Sequence, residues 1–311
     1  MQPRLGPVNR PWHGVVVATA APFRDDPGRT LDLDRYAEHV RWLAAGGCHG
    51  VAPNGSLGEY QTLTDGERAA LVRTAVEAAP DGFAVLPGCA AYGADAARRW
   101  AEQAREAGAG AVLLLPPNAY RADDREVVAH YREVARAGLP IVAYNNPHDT
   151  RVDLTPELLA RLVAEVPDVV AVKEFSGDVR RMHAIRELAP ELDVLAGADD
   201  VLLELMLTGA VGWVAGFPNA LPRESMALYD LAAAGKLDEA LPAYRAMHPL
   251  LRWDSRTEFV QAVKLAMDEA GRYGGPSRLP RLPLPPEQEA QVRRALDAAL
   301  GYFGGRLTSA R

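Results

Sequence analysis

Lys173 stands at the end of an apolar run. In VVAVKEF (169–175), four apolar residues, Val169 to Val172, lead directly into the lysine. The run is short and β-branched, which reads as a strand buried on both faces. An ammonium at the end of such a strand either finds a carboxylate or loses its proton, because burial penalises the charged form. A neutral amine there can attack a carbonyl and form a Schiff base. The resulting iminium is an electron sink. It makes carbon–carbon cleavage, dehydration or deamination beside the carbonyl feasible without metal or cofactor. Tyr144 ends the preceding apolar run, and adjacent parallel strands lie about 4.8 Å apart, so its phenol can serve the same centre as a proton shuttle. NGSLGE (54–59) brackets Ser56 and Leu57 with Gly55 and Gly58. Such a turn can expose successive backbone N–H groups as a nest for a carboxylate. The Ser56 hydroxyl could exchange a proton with Tyr144.

Each feature also has a structural reading: a salt bridge for Lys173, a rim tyrosine bonded to backbone for Tyr144, a plain tight turn for NGSLGE. A bridge from Lys173 to Glu174 is disfavoured, since adjacent strand residues point to opposite faces. The seven histidines are scattered and form neither H-x-H nor H-E-x-x-H. Asp199 and Asp200 are expected to cap a helix rather than hold a metal. No G-x-S-x-G elbow occurs. No metal or cofactor is expected.

The elements that must position these groups recur in order. Apolar runs at 14–20, 50–53, 83–88, 111–117, 140–147, 169–175, 193–200 and 210–219 alternate with amphipathic segments such as 32–45, 64–79, 94–107, 123–137, 155–165 and 178–189. Eight strand–helix units predict an α/β fold of the (β/α)8 TIM-barrel type over 11–235, whose active site lies at the C-terminal ends of the strands. A doubly wound sheet is the runner-up, but VVVATAAPF lacks its glycine-rich phosphate turn. Beyond residue 235 strand signals cease. Helices at 236–250, 255–270 and 287–300, with a proline-rich link at 278–286, predict a C-terminal helical extension (236–311) packed on the barrel. Its last ten residues are expected to be loosely ordered.

A net charge of −7 argues against nucleic acid or an anionic membrane as partner. No apolar stretch is long enough to span a membrane, and the N-terminus lacks a signal-peptide core. Cys48 and Cys89 read as small buried hydrophobes in a reducing, cytoplasmic setting.

Taken together, G-S-L-G-E (55–59), Y-N-N-P (144–147) and V-K-E (172–174) resemble the dihydrodipicolinate synthase / N-acetylneuraminate lyase superfamily over nearly the whole chain. The resemblance implies a barrel with a helical C-terminal segment, usually a homotetramer. It implies a Schiff base between Lys173 and a 2-oxo acid, Tyr144 as proton-transferring phenol, and Ser56 and Leu57 N–H groups on the substrate carboxylate. Three departures stand out. Ser56-Leu57 replaces a Thr-Thr pair. Asp149 occupies the position of an arginine that binds the second substrate's carboxylate, with Arg151 two residues on. Asn118 stands where a tyrosine lent between subunits is usual, with Tyr120 out of register. His148, Asp149, Val214, Phe217 and Asn219 are expected to line the far end of the substrate, and Asn118 is a further expected substrate-binding residue, where a neighbouring subunit could complete the site. The expected partner is therefore a small 2-oxo acid, in a homotetramer or homodimer. The expected reaction is aldol cleavage or condensation, or dehydration or deamination of a hydroxylated 2-oxo acid or cyclic imino acid. Two alternatives stay open: a synthase condensing pyruvate with aspartate semialdehyde, and a barrel that binds a 2-oxo acid without turnover.

Overall fold

The computed structural model describes residues 10–304. Residues 1–9 and 305–311, which include most of the tail expected to be loose, lie outside the described residues.

Eight parallel strands, β1 (Gly14–Ala18), β2 (Gly50–Ala52), β3 (Ala84–Val85), β4 (Val112–Leu114), β5 (Ile141–Asn145), β6 (Val169–Glu174), β7 (Asp193–Ala196) and β8 (Gly212–Ala215), form one sheet in the order β3-β2-β1-β8-β7-β6-β5-β4. A parallel bridge between Gly88 and Leu113 joins the two end strands and closes the (β/α)8 barrel. The apolar runs are continuous because both faces are buried. Val16, Ala52, Leu86, Leu113, Val142, Ala171, Leu195 and Val214 pack inside the barrel. Val15, Val17, Val51, Val112, Val172, Val194 and Trp213 pack outward with the helices.

Several helices begin where a short polar residue holds their free N–H groups. Thr64 and Asp123 form capping boxes with Glu67 and Glu126, opening helices Asp65–Ala78 and Asp124–Ala135. Helices Pro147–Thr150 and Pro222–Ala233 were not foreseen. The first is too short to show a period, and the second lay between the last strand signal and the expected extension. The helix expected to begin at Asp199 and Asp200 runs over Leu202–Leu207.

Helices Leu237–Leu251, Phe259–Glu269 and Pro286–Gly304 share the outer core through residues such as Leu250, Val260, Met267, Val292 and Phe303. The segment between the first two crosses the mouth of the barrel and lines its cavity. Lys264 Nζ reaches back to donate to Glu59 Oε1 at 2.7 Å, and the Arg278 N–H reaches Glu59 Oε2 at 3.0 Å. The extension is thereby tied to the end of the G-S-L-G-E loop.

Candidate active site

A cavity of 1150 Å³ opens at the C-terminal ends of the strands, with Lys173, Tyr144, Gly55, Ser56, Leu57, Asn118, His148, Asp149 and Val214 on its walls. Lys173 faces inward because of a bulge. Ile141 pairs with Val169, but Val142 pairs with Ala171, so Val170 is an extra residue in β6. Val169 packs outward, Val170 and Ala171 both meet the inner cluster, Val172 packs outward, and Lys173 turns in. Strict alternation from Val169 would aim Lys173 at the helices.

Tyr144 lies directly opposite Lys173 in the β5–β6 register. The lysine Nζ sits 4.2 Å from the centre of the tyrosine ring and 5.5 Å from that of Phe175. Glu174 turns the other way and accepts from Asn145 Nδ2 at 3.0 Å and from the Ser176 N–H at 2.6 Å. It forms no bridge to the lysine. Burial lowers the Lys173 pKa, opposed by the charges of Asp254 and Asp199. Burial raises that of Tyr144, as do Asp254 and Asp149, against hydrogen bonds with Asn146 and Ser56. The tyrosine therefore stays a neutral phenol, able to give and regain a proton.

The loop after β2 turns through Asn54 in the left-handed region, φ 60°. The Glu59 N–H bonds to Ser56 O at 3.0 Å. Among the described residues, the N–H groups of Ser56 and Leu57 have no backbone partner. Asn146 caps helix Pro147–Thr150 and donates to Asp149 Oδ2 at 2.9 Å, holding that carboxylate at the cavity wall. Arg151 and His148 line the same wall.

Two expected lining residues lie elsewhere. Phe217 is fully buried in the outer core. Asn219 is saturated: its Oδ1 accepts from the Ala20 N–H and His39 Nε2, and its Nδ2 donates to Ala18 O and Gly216 O. After β8 the chain enters the 3-10 turn Phe217–Asn219, so strand alternation no longer predicts direction there. Asp199 and Asp200 do not cap a helix. The 3-10 turn Asp199–Val201 intervenes, and Asp199 Oδ1 accepts from Trp213 Nε1 at 2.9 Å while Oδ2 accepts from the Gly216 and Phe217 N–H groups, both at 3.2 Å. Asp200 Oδ1 accepts from Ser255 Oγ at 2.8 Å.

Sequence reasoning missed Asp254, Arg68 and Asn54. Asp254 lies between two helical patterns and carries no local signal. Arg68 falls on a helix face read as ordinary amphipathic surface. It is instead buried against the Trp100 ring at 4.2 Å, with Gly88 O and Ala90 O as acceptors.

A closed barrel with a desolvated lysine, an adjacent phenol and an open N–H loop at its mouth defines a class I, Schiff-base-forming lyase. The dihydrodipicolinate synthetase family model matches residues 11–299. The 4-hydroxy-tetrahydrodipicolinate synthase of Methanothrix thermoacetophila is 34% identical over 288 residues, covering 92% of this chain and 96% of that protein. The 4-hydroxy-tetrahydrodipicolinate synthase of Methanospirillum hungatei is 32% identical over 271 residues, covering 86% and 93%. The solved 4-hydroxy-tetrahydrodipicolinate synthase from Methylacidiphilum fumariolicum superposes with a TM-score of 0.89 at 28% identity, over 94% of this chain and 97% of that one. The chain belongs to the dihydrodipicolinate synthetase family and is an enzyme of its metal-independent Schiff-base type. Among the described residues no helix is long and apolar enough to cross a membrane.

Proposed function

We propose that this cytosolic enzyme captures the keto carbon of a 2-oxo acid on Lys173 as an imine, with Tyr144 and Ser56 moving protons and the Ser56–Leu57 N–H groups holding the carboxylate. It then performs aldol cleavage or condensation, or dehydration or deamination of a hydroxylated 2-oxo acid or cyclic imino acid. The observation that carries this reading is the Lys173 amine, buried to 7% exposure on the cavity wall beside the Tyr144 ring and lowered in pKa by burial. Borohydride reduction in the presence of pyruvate or a 2-oxo sugar acid, followed by peptide mass mapping, should find the adduct on Lys173, and Lys173→Ala should abolish it. No adduct with any 2-oxo acid tried would count decisively against the proposal.

A second reading, condensation of pyruvate with aspartate semialdehyde, is supported by the names of the relatives and by Arg151 on the cavity wall. Asp149 argues against it, since a carboxylate repels an anionic second substrate. We expect that assay to be poor. An ordinary rate, with KM of about 1 μM to 1 mM, would favour the synthase.

Assembly as a homotetramer or homodimer belongs to the same proposal. It is supported by the exposed rings of Tyr92 and Tyr120 and by the buried, unpartnered Asn118 Oδ1 on the cavity wall. A monomer in analytical ultracentrifugation would refute it.

A further inference from the structure

The cavity holds a carboxyl that the reading above leaves idle. Asp254 lies on the segment between helices Leu237–Leu251 and Phe259–Glu269, so it comes from the extension rather than from a strand end. It is buried and lines the same cavity as Lys173. Its Oδ2 accepts from the Asp199 N–H at 3.3 Å. Its Oδ1 lies over Gly216, where a Cβ would come within 2.9 Å of it. Only a glycine at 216 leaves room for the carboxyl in this position, and no hydrogen bond occupies Oδ1 among the described residues.

We propose that Asp254 is the acid that supplies the proton consumed when Lys173 condenses with a keto group, and the counter-charge held beside the iminium that results. This rests on the imine reading of Lys173.

The surrounding charges favour that role. Burial raises Asp254 to about 6, opposed by the Lys173 charge and the Asp199 N–H and reinforced by Asp200. Burial and the facing Asp254 raise Asp199 well above the usual carboxylate range, against its hydrogen bonds from Phe217 and Trp213. The two carboxyls therefore share a proton, and Asp254 is the one on the cavity wall, where that proton can be delivered. The other groups near it are Tyr144 from β5, Lys173 from β6, Asp200 with its carboxylate bound by Ser255, and Arg256, whose guanidinium lies 4.2 Å over the Trp253 ring.

The step balances. The neutral Lys173 amine forms a bond to the keto carbon, and the carbonyl π pair moves onto oxygen. Tyr144 relays one proton from nitrogen to that oxygen, giving the carbinolamine. The nitrogen lone pair then forms C=N while the C–O bond breaks. The oxygen leaves with its electron pair and takes the Asp254 proton, departing as water. What remains is an iminium cation beside the Asp254 carboxylate, with no redox change and no further reactant.

The test is rapid-quench borohydride trapping of pyruvate by intact mass, from pH 5 to 9, on wild type, Asp254→Asn, Asp254→Ser and Asp254→Glu. Asn keeps the acceptor for the Asp199 N–H, and Ser removes the acid while leaving space. Both should trap about 10²–10⁴-fold more slowly at pH 7 and lack the wild-type inflection near pH 6. Asp254→Glu, which keeps an acid, should recover part of the rate and the inflection. An Asn or Ser variant that traps at the wild-type rate with the wild-type pH profile overturns this assignment alone. A wild type that forms no adduct overturns the imine reading and this assignment with it.

Discussion

Replacing Lys264 by methionine isolates the tie between the extension and the substrate loop. The Lys264 and Glu59 side chains are 3% and 0% exposed, and Lys264 Nζ also donates to Pro276 O at 2.8 Å. Methionine keeps most of the stem and removes the cation. Glu59 is then left in a dry site with, among the described residues, one N–H donor, that of Arg278. An ionised carboxylate buried without its partner costs about 3–5 kcal/mol. Guanidinium unfolding of wild type and variant at pH 7 measures it. Because Glu59 ends the G-S-L-G-E loop, the pyruvate concentration needed for half-maximal trapping should rise as well. The double variant Glu59→Gln/Lys264→Met should recover most of the stability, as expected when the penalty is an orphaned charge. A loss below about 1 kcal/mol at pH 7 would refute the argument.

Tyr144→Phe should slow turnover by about 10²–10⁴-fold while the fold holds; an unchanged rate would exclude the phenol from proton transfer. Lys173→Ala should abolish turnover with little change in melting temperature, since a strand-end amine at the cavity wall fills little core; an unfolded variant would mean that the lysine is structural. Burial holds His39 and His130 down to about 4, whereas histidine in an unfolded chain titrates near 6.5. Between those values the unfolded chain binds protons that the native one refuses. Stability is therefore complete above about pH 6.5 and falls as the pH drops toward 4, by up to roughly 3 kcal/mol for each histidine. A melting temperature that is flat from pH 7 to 4.5 would contradict this.

The barrel was legible because its strands advertise themselves: runs buried on both faces leave no polar position to confuse with a helix. The lysine, the tyrosine and the glycine-bracketed loop were legible because each stands where a strand stops. Phe217 and Asn219 were misjudged because the chain leaves strand geometry after Ala215, and direction inferred by alternation fails in a 3-10 turn. Asp199 was misjudged for a related reason. It opens a three-residue 3-10 turn ahead of the helix it was expected to cap, and its carboxylate turns to Trp213 and the N–H groups just past the end of β8. Asp254 had no signature, because nothing near position 254 says that a link between two helices will lie across the barrel mouth. Such meetings of distant segments are set by packing and are invisible to local pattern.

Val170 has a consequence for how this sequence can drift. Exchanging one branched aliphatic residue for another along 169–172 alters volume but not phase, so the strand can change composition freely. Its length is tied to the bulge. Deleting Val170 and the bulge together leaves Lys173 facing inward, but flattening the bulge with every residue kept would swing the reactive nitrogen out among the surrounding helices and bring the Glu174 carboxylate into the chamber. The enzyme would keep its barrel and lose its chemistry through a change that alters no side chain at the site.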